Sequence, residues 1–110
     1  DPIINGDGKN TRDYVFVDDV VKANLLAIKD GVSGIYNVAT SKEYDVNYVF
    51  NKLKEFTGSD CTEIHGEAKK GEQRRSVCSY KKFESQHGWQ PNTQFDEGLR
   101  RTVEFFRGKM

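Results

Sequence analysis

Three groups of residues have types and spacings that suit chemistry. Arg12 stands in "TRDY", at the mouth of a predicted strand and just after the glycine-rich stretch "GDGKN". Ligands meet α/β sheets at strand ends, and a planar guanidinium forks well onto phosphate oxygens. Arg12 therefore reads either as a diphosphate contact or as half of an Arg12–Asp13 surface pair of little energetic weight. The second group is "KKGEQRRSVCSYKK" (69–82), where Lys69, Lys70, Arg74, Arg75, Lys81 and Lys82 accompany a single acid, Glu72. Such a run is either a solvated face or an anion-binding loop, with cations taking phosphate charge and Glu72 accepting from sugar hydroxyls. No aromatic platform is interleaved with these cations, so nucleic-acid binding is the weaker reading. The third group, Tyr48 and Lys52 in "YVFNK", has the Tyr-x-x-x-Lys spacing of a lysine-activated tyrosine. Both fall beside the apolar stripe of their predicted helix, with no dinucleotide loop upstream, and are expected to be a decoy.

Other motifs fail on spacing. Aligning "DPIINGDGKNTR" as a calcium loop puts Ile3 at a ligand position and Arg12 where the bidentate Glu belongs. The loop lacks the Lys-Ser/Thr pair of a phosphate loop and the strand–glycines–helix order of a dinucleotide fingerprint. His65, His87, Cys61 and Cys78 make no zinc spacing, and no nucleophile–base constellation stands out. No catalytic residue and no metal ligand is expected here. The cysteines read as reduced thiols of a cytosolic protein, with one disulfide as the alternative.

The elements that must position these residues alternate between strand and helix. Tyr14 to Val17 is predicted as a strand, then Asp18 or Asp19 as the cap of a helix in which Val21, Leu25 and Ile28 recur at helical spacing up to Gly31. "GIYNVAT" (34–40) is predicted as a buried strand. Asp45 caps a second helix with Val46, Val49, Phe50, Leu53 and Phe56 on one face, ended by Gly58. "CTEIHGE" and "SVCSY" are predicted as short strands, and "AKKGEQRR" as a charged loop. "KKFESQHGW" reads as a helical turn or two ending at Gly88. A last helix runs from about Phe95 with Leu99, Val103 and Phe106 on one side, and its Gly98 costs about 1 kcal/mol unless a neighbour packs there.

The composition fits one mixed α/β unit of 110 residues with a thin core: 35% hydrophobic, 31% charged and a net charge of +0. Zero net charge gives no global attraction to nucleic acid or acidic lipid. No apolar run approaches membrane-spanning length and no signal-peptide pattern opens the chain.

Together, "GDGKNTRDYVFVDDVVKANLLAI", "GIYNVATSKEYDVNYVFNKLKEFTG", "AKKGEQRRS" and "HGWQPNTQFDEGLRRTVEFF" resemble the carboxyl-terminal part of the extended short-chain dehydrogenase/reductases. Within them they resemble the NAD-dependent epimerases and dehydratases of nucleotide sugars, most of all the UDP-glucose 4-epimerase branch. The resemblance runs over essentially all 110 residues, in order. It implies that residues 1–110 are the substrate-binding region of a Rossmann-type enzyme. The half that holds NAD and the catalytic tyrosine and lysine is then absent from this chain. It implies an intact enzyme that interconverts UDP-sugars through a 4-keto intermediate, with this part inactive alone. A 4,6-dehydratase is the alternative within the family, and a free-standing anion- or RNA-binding module the alternative outside it.

By the same resemblance, Arg12 touches the diphosphate, and Lys69 and Glu72 belong to an Arg-x-Gly-Asp/Glu element with Glu72 on the ribose. Lys69 replaces the usual Arg, keeping charge but losing the fork, and Lys70 replaces a common proline. The implied partners are a UDP-sugar and the missing Rossmann half, with self-association through an exposed 34–40 strand edge if that half is absent.

Overall fold

The protein, described over residues 2–108 in a computed structural model, follows the mixed α/β plan with short strands and four helices. In order these are β1 (Ile3–Asn5), β2 (Thr11–Arg12), α1 (Val17–Asp30), β3 (Tyr44–Asp45), α2 (Val46–Thr57), β4 (Ile64–Gly66), α3 (Lys81–His87) and α4 (Phe95–Arg107). β1 and β4 pair in parallel with Ile4 opposite His65, and β2 and β3 pair antiparallel with Arg12 opposite Tyr44. Sequence reasoning found β4 but did not assign β1.

Helix α2 forms as its sequence dictates. Asp45 accepts the Tyr48 N–H at 2.7 Å, and Gly58 ends the helix at φ 68°, a left-handed angle suited to glycine. α3 stops at Gly88 in the same way. In α4, Gly98 has its reason: an added Cβ would stand 3.0 Å from the Phe16 ring, so the glycine admits a close neighbour.

α1 departs from expectation. Phe16, extended at ψ 143°, stands at the cap position without a side-chain bond, and Asp18 and Asp19 lie within the first turn. There they favour the helix dipole rather than cap it. The apolar stripe at helical spacing faces out: Val21 and Leu25 are exposed, as is Val17 beside them, and Ile28 is 79% exposed. Buried instead are Asp19 and Ala23, with Leu26 half-buried beside them. At 100° per residue the two stripes lie on opposite sides of the helix. The small Ala23 lets Phe83 and Trp89 come close, and those rings form the core with Val15, Val32, Tyr36, Val38 and Tyr80 around them.

The predicted strands at 14–17, 34–40 and 76–80 form no ladder among the described residues. Val17 already belongs to α1. Their β-branched and aromatic content suits a sheet only where a partner is supplied, and their backbone groups bond elsewhere. Thr40 and Ser41 donate to the Asp13 carboxylate, and Ser76 donates to the Thr11 carbonyl. Ile35, expected buried, is 85% exposed.

Buried side-chain bonds tie the remaining segments down. Asp19, 1% exposed, accepts the Thr93 N–H at 3.1 Å through Oδ2, and its backbone carbonyl accepts the Trp89 indole N–H at 3.1 Å. A second cluster stacks Tyr44 on Phe95 at 4.3 Å with Tyr14 and Tyr48 against them, joining β3 and α2 to α4. The whole is flat, 47 × 36 × 18 Å, with a radius of gyration of 16.3 Å, against about 13 Å for a compact domain of this length. Its 7665 Å² surface is roughly a quarter above that of a compact monomer of this size.

Two guanidinium forks fasten the strap of residues 74–76 beside β2, where Thr11 donates to the Arg74 carbonyl at 2.9 Å. Arg74 grips Asp7 at 2.7 and 2.9 Å, and Arg75 grips Glu43 at 2.8 and 2.6 Å. Glu43 also accepts the Thr11 hydroxyl at 2.8 Å. On the loop before β2, Gly8 has φ +74°, and a Cβ there would stand 2.0 Å from Asn47 Oδ1, which is packed against it. The Asn47 amide holds the same loop by donating to the Asp7 carbonyl at 2.9 Å.

Gly8→Ala is therefore expected to lower stability by roughly 1–3 kcal/mol from the left-handed backbone alone. A lower urea midpoint at an unchanged slope is the measurement. A second expectation concerns acid. The Arg75 fork, and next the Thr11 hydroxyl, lower the Glu43 carboxyl to about 2. The stability this provides is complete above the ordinary value of 4.5 and is lost as pH falls through about 2. In Glu43→Gln, urea titrations across that window should show a shallower loss of stability on acidification than in the parent chain.

Candidate functional site

The elements above bring Arg12 and Glu72 together. Arg12 Nη1 donates to the Thr11 carbonyl at 2.6 Å and to the Gln73 carbonyl at 2.9 Å, and Nη2 lies 3.5 Å from Glu72 Oε1. The two side chains are 32% and 36% exposed. A pair this long and this wet contributes at most about 1 kcal/mol, so an incoming dianion can displace it. Asp13 does not take the Arg12 partnership: it is occupied by Thr40, whose hydroxyl donates at 2.6 Å.

Lys69 lies on the same loop as Glu72, exposed, and has no hydrogen bond or ion pair among the described residues. The loop thus carries two uncommitted cations, Lys69 and Lys70, and one acid, Glu72, loosely held by the guanidinium. None of the three lines either of the hollows nearby. One, of about 120 Å³, is walled by Tyr14, Tyr44, Tyr80 and Phe95; another, of about 720 Å³, runs along α4 past Phe16 and Arg101. Arg12, Lys69 and Glu72 stand on an open edge rather than inside a pocket.

The rest of the basic run is largely spent on structure. Arg74 and Arg75 are the two forks of the strap. Lys82 donates to the Ile35 carbonyl at 2.9 Å and lies 4.7 Å over the Tyr36 ring. Sequence reasoning missed Asp7 and Glu43 as the acids that receive these arginines. The only signal was a basic run in one half of the chain facing scattered acids in the other, with no fixed spacing to pair them.

Tyr48 and Lys52 are engaged as well. The Tyr48 hydroxyl donates to Asp96 at 2.8 Å, and Lys52 pairs with Glu55 at 3.4 Å and Asp96 at 3.5 Å. The Asp96 hydrogen bond, with desolvation behind it, raises the Tyr48 pKa. A tyrosine meant to act as a base needs the opposite shift. Cys61 and Cys78 are free thiols. Among the described residues no three His, Cys, Asp or Glu side chains gather into a metal-binding group, and no helix is long and apolar enough to cross a membrane.

Comparison with known proteins gives this edge its context. Residues 1–102 match the family model described as GDP-mannose 4,6 dehydratase. The chain is 40% identical over 108 residues to the UDP-glucose 4-epimerase of Mycolicibacterium smegmatis, covering 96% of itself and 34% of that protein. It superposes on the UDP-glucose 4-epimerase of Thermotoga maritima, solved with UDP-glucose, with a TM-score of 0.93 and 44% identity, covering 97% of itself and 35% of that chain. It also resembles a dTDP-glucose 4,6-dehydratase of Streptomyces venezuelae solved with NAD, with a TM-score of 0.88 and 29% identity, over 96% of itself and 34% of that chain. The chain spans about a third of the length of the relatives it matches. By sequence and by fold, then, it belongs to the NAD-dependent epimerase/dehydratase family of the extended short-chain dehydrogenase/reductases.

Proposed function

We propose that this chain is the carboxyl-terminal, nucleotide-sugar-holding part of an NAD-dependent UDP-sugar 4-epimerase. The observation that carries this reading is the meeting of Arg12 and Glu72, 60 residues apart in sequence, as a weak and displaceable pair. On binding, Arg12 exchanges Glu72 for the diphosphate, and the released carboxylate accepts from the ribose hydroxyls. Lys69 adds charge to the same phosphates without a fork. Holding the nucleotide and leaving the hexose ungripped is what an inversion at one sugar carbon requires.

The residues present do not make an NAD site. Gly6 and Gly8 lead into β2 rather than into a helix N-terminus, where a pyrophosphate would be cradled. Tyr48 is bonded to Asp96 with its pKa raised, so this tyrosine is poorly placed to act as a base. The redox chemistry therefore belongs to an amino-terminal Rossmann lobe, and this part alone is inactive. The outward stripe of Val17, Val21, Leu25 and Ile28, with Ile35 nearby in sequence, provides apolar surface for that lobe to cover. Without the lobe, copies of this chain are expected to associate through the same surface. Free thiols and the absence of a spanning helix among the described residues fit a cytoplasmic enzyme.

Resemblance to the Streptomyces dehydratase supports a 4,6-dehydratase as the second reading, and the higher identity to the epimerases favours the first. An RNA-binding module is disfavoured because Arg74 and Arg75 are tied to Asp7 and Glu43.

UDP added to the isolated chain should shift the amide resonances of Arg12 and Glu72 together. Arg12→Ala should weaken that binding about 10- to 150-fold, the equivalent of one charge-assisted hydrogen bond. If UDP moves neither residue while oligonucleotides perturb 69–82 with a steep salt dependence, the reading is wrong. Restoring the fork with Lys69→Arg should tighten UDP binding several-fold, read in the same titration.

A further inference from the structure

We propose that His65 is a pH-operated clasp at the root of the two loops that carry Arg12 and Glu72. The ring sits on β4 with Nδ1 2.7 Å from the Gly6 carbonyl and Nε2 2.9 Å from Glu63 Oε1. Both neighbours are acceptors only. A neutral imidazole has one N–H and would satisfy one of them while turning a lone pair on the other; the imidazolium satisfies both. Glu63 and His65, two residues apart in extended chain, share a face. The other charged group near the ring is Asp7, from the loop after β1, and its own charge is matched by Arg74.

The position of this ring matters because both loops start beneath it. Gly6 donates to the Gly66 carbonyl at 2.9 Å, and from that crossing one loop runs to Arg12 and the other to Glu72. Gly66 has no room for a side chain, since a Cβ would stand 2.9 Å from Ile3 Cγ2, so the crossing is tight. The Glu63 carboxylate first, and the Gly6 carbonyl next, raise the His65 pKa above its ordinary value. The sign follows: the clasp is closed below the ordinary imidazole range and loosens as pH rises through the raised value. One of the two contacts at the root of the loops is then lost, and the Thr11–Arg74 bond and the Arg74–Asp7 fork further along are left to carry the register that places Arg12 by Glu72.

The test needs no nucleotide. In a pH titration followed by NMR, the His65 ring should titrate with a midpoint above about 6.5, and the Gly6, Arg12 and Glu72 amides should share that midpoint. Glu63→Gln, an exposed change, should lower the midpoint, and His65→Gln should remove the step at Arg12 and Glu72. A midpoint at or below 6.5, or Arg12 and Glu72 signals that stay flat across it, overturns the proposal. Its consequence for ligand, that UDP binds more weakly at high pH, rests on the functional reading above. Failure of UDP to bind at any pH would count against that reading alone, because the ring titration is measured without it.

Discussion

Thr11 is the point on which this arrangement turns. Its N–H and carbonyl bond to residues 74 and 76 on one side, it pairs with Asp45 on the other, and its hydroxyl reaches Glu43. Two bidentate guanidinium–carboxylate pairs, from the adjacent Arg74 and Arg75, clamp the same seam. Without that seam, Arg12 and Glu72 would belong to separate loops with nothing to hold them within reach. The meeting of Arg12 and Glu72 is thus a by-product of backbone pairing between distant segments. The charged side chains beside it differ in kind: forked pairs hold the seam, and the Arg12–Glu72 pair is long and exposed.

This division explains why a basic run is a poor guide by itself. Of the cations between 69 and 82, Arg74, Arg75 and Lys82 are committed, and Lys69, Lys70 and Lys81 are exposed with no side-chain partner among the described residues. Arginine's planar fork makes it the better structural tie when a carboxylate is near. The same logic disposes of Tyr48 and Lys52. A suggestive spacing on one helix was absorbed by Asp96 from another, which sequence distance hides.

Much was legible in the chain, and where legibility failed the cause was physical. α2, α3 and α4 announced themselves through a capping aspartate, terminal glycines and periodic apolar residues, all of which act within a few positions. That Arg12 and Glu72 would meet was suggested by a family pattern rather than by local physics. The strands at 14–17, 34–40 and 76–80 were misread because strand formation depends on a neighbour, and an apolar sequence says nothing about whether one is present. The face that α1 buries was not legible for a related reason. Two apolar stripes compete on that helix, and the one that wins inside this chain is built on Ala23, whose small size admits Trp89.

α1 is thus a helix with two insides. One flank closes over Phe83 and Trp89, and the other offers Val17, Val21, Leu25 and Ile28 to whatever lies beyond. An element shared in this way acts as a mechanical coupling. If a second lobe rests on the outer flank, neither lobe can melt without disturbing the other, and the two would unfold as one cooperative block rather than as independent halves.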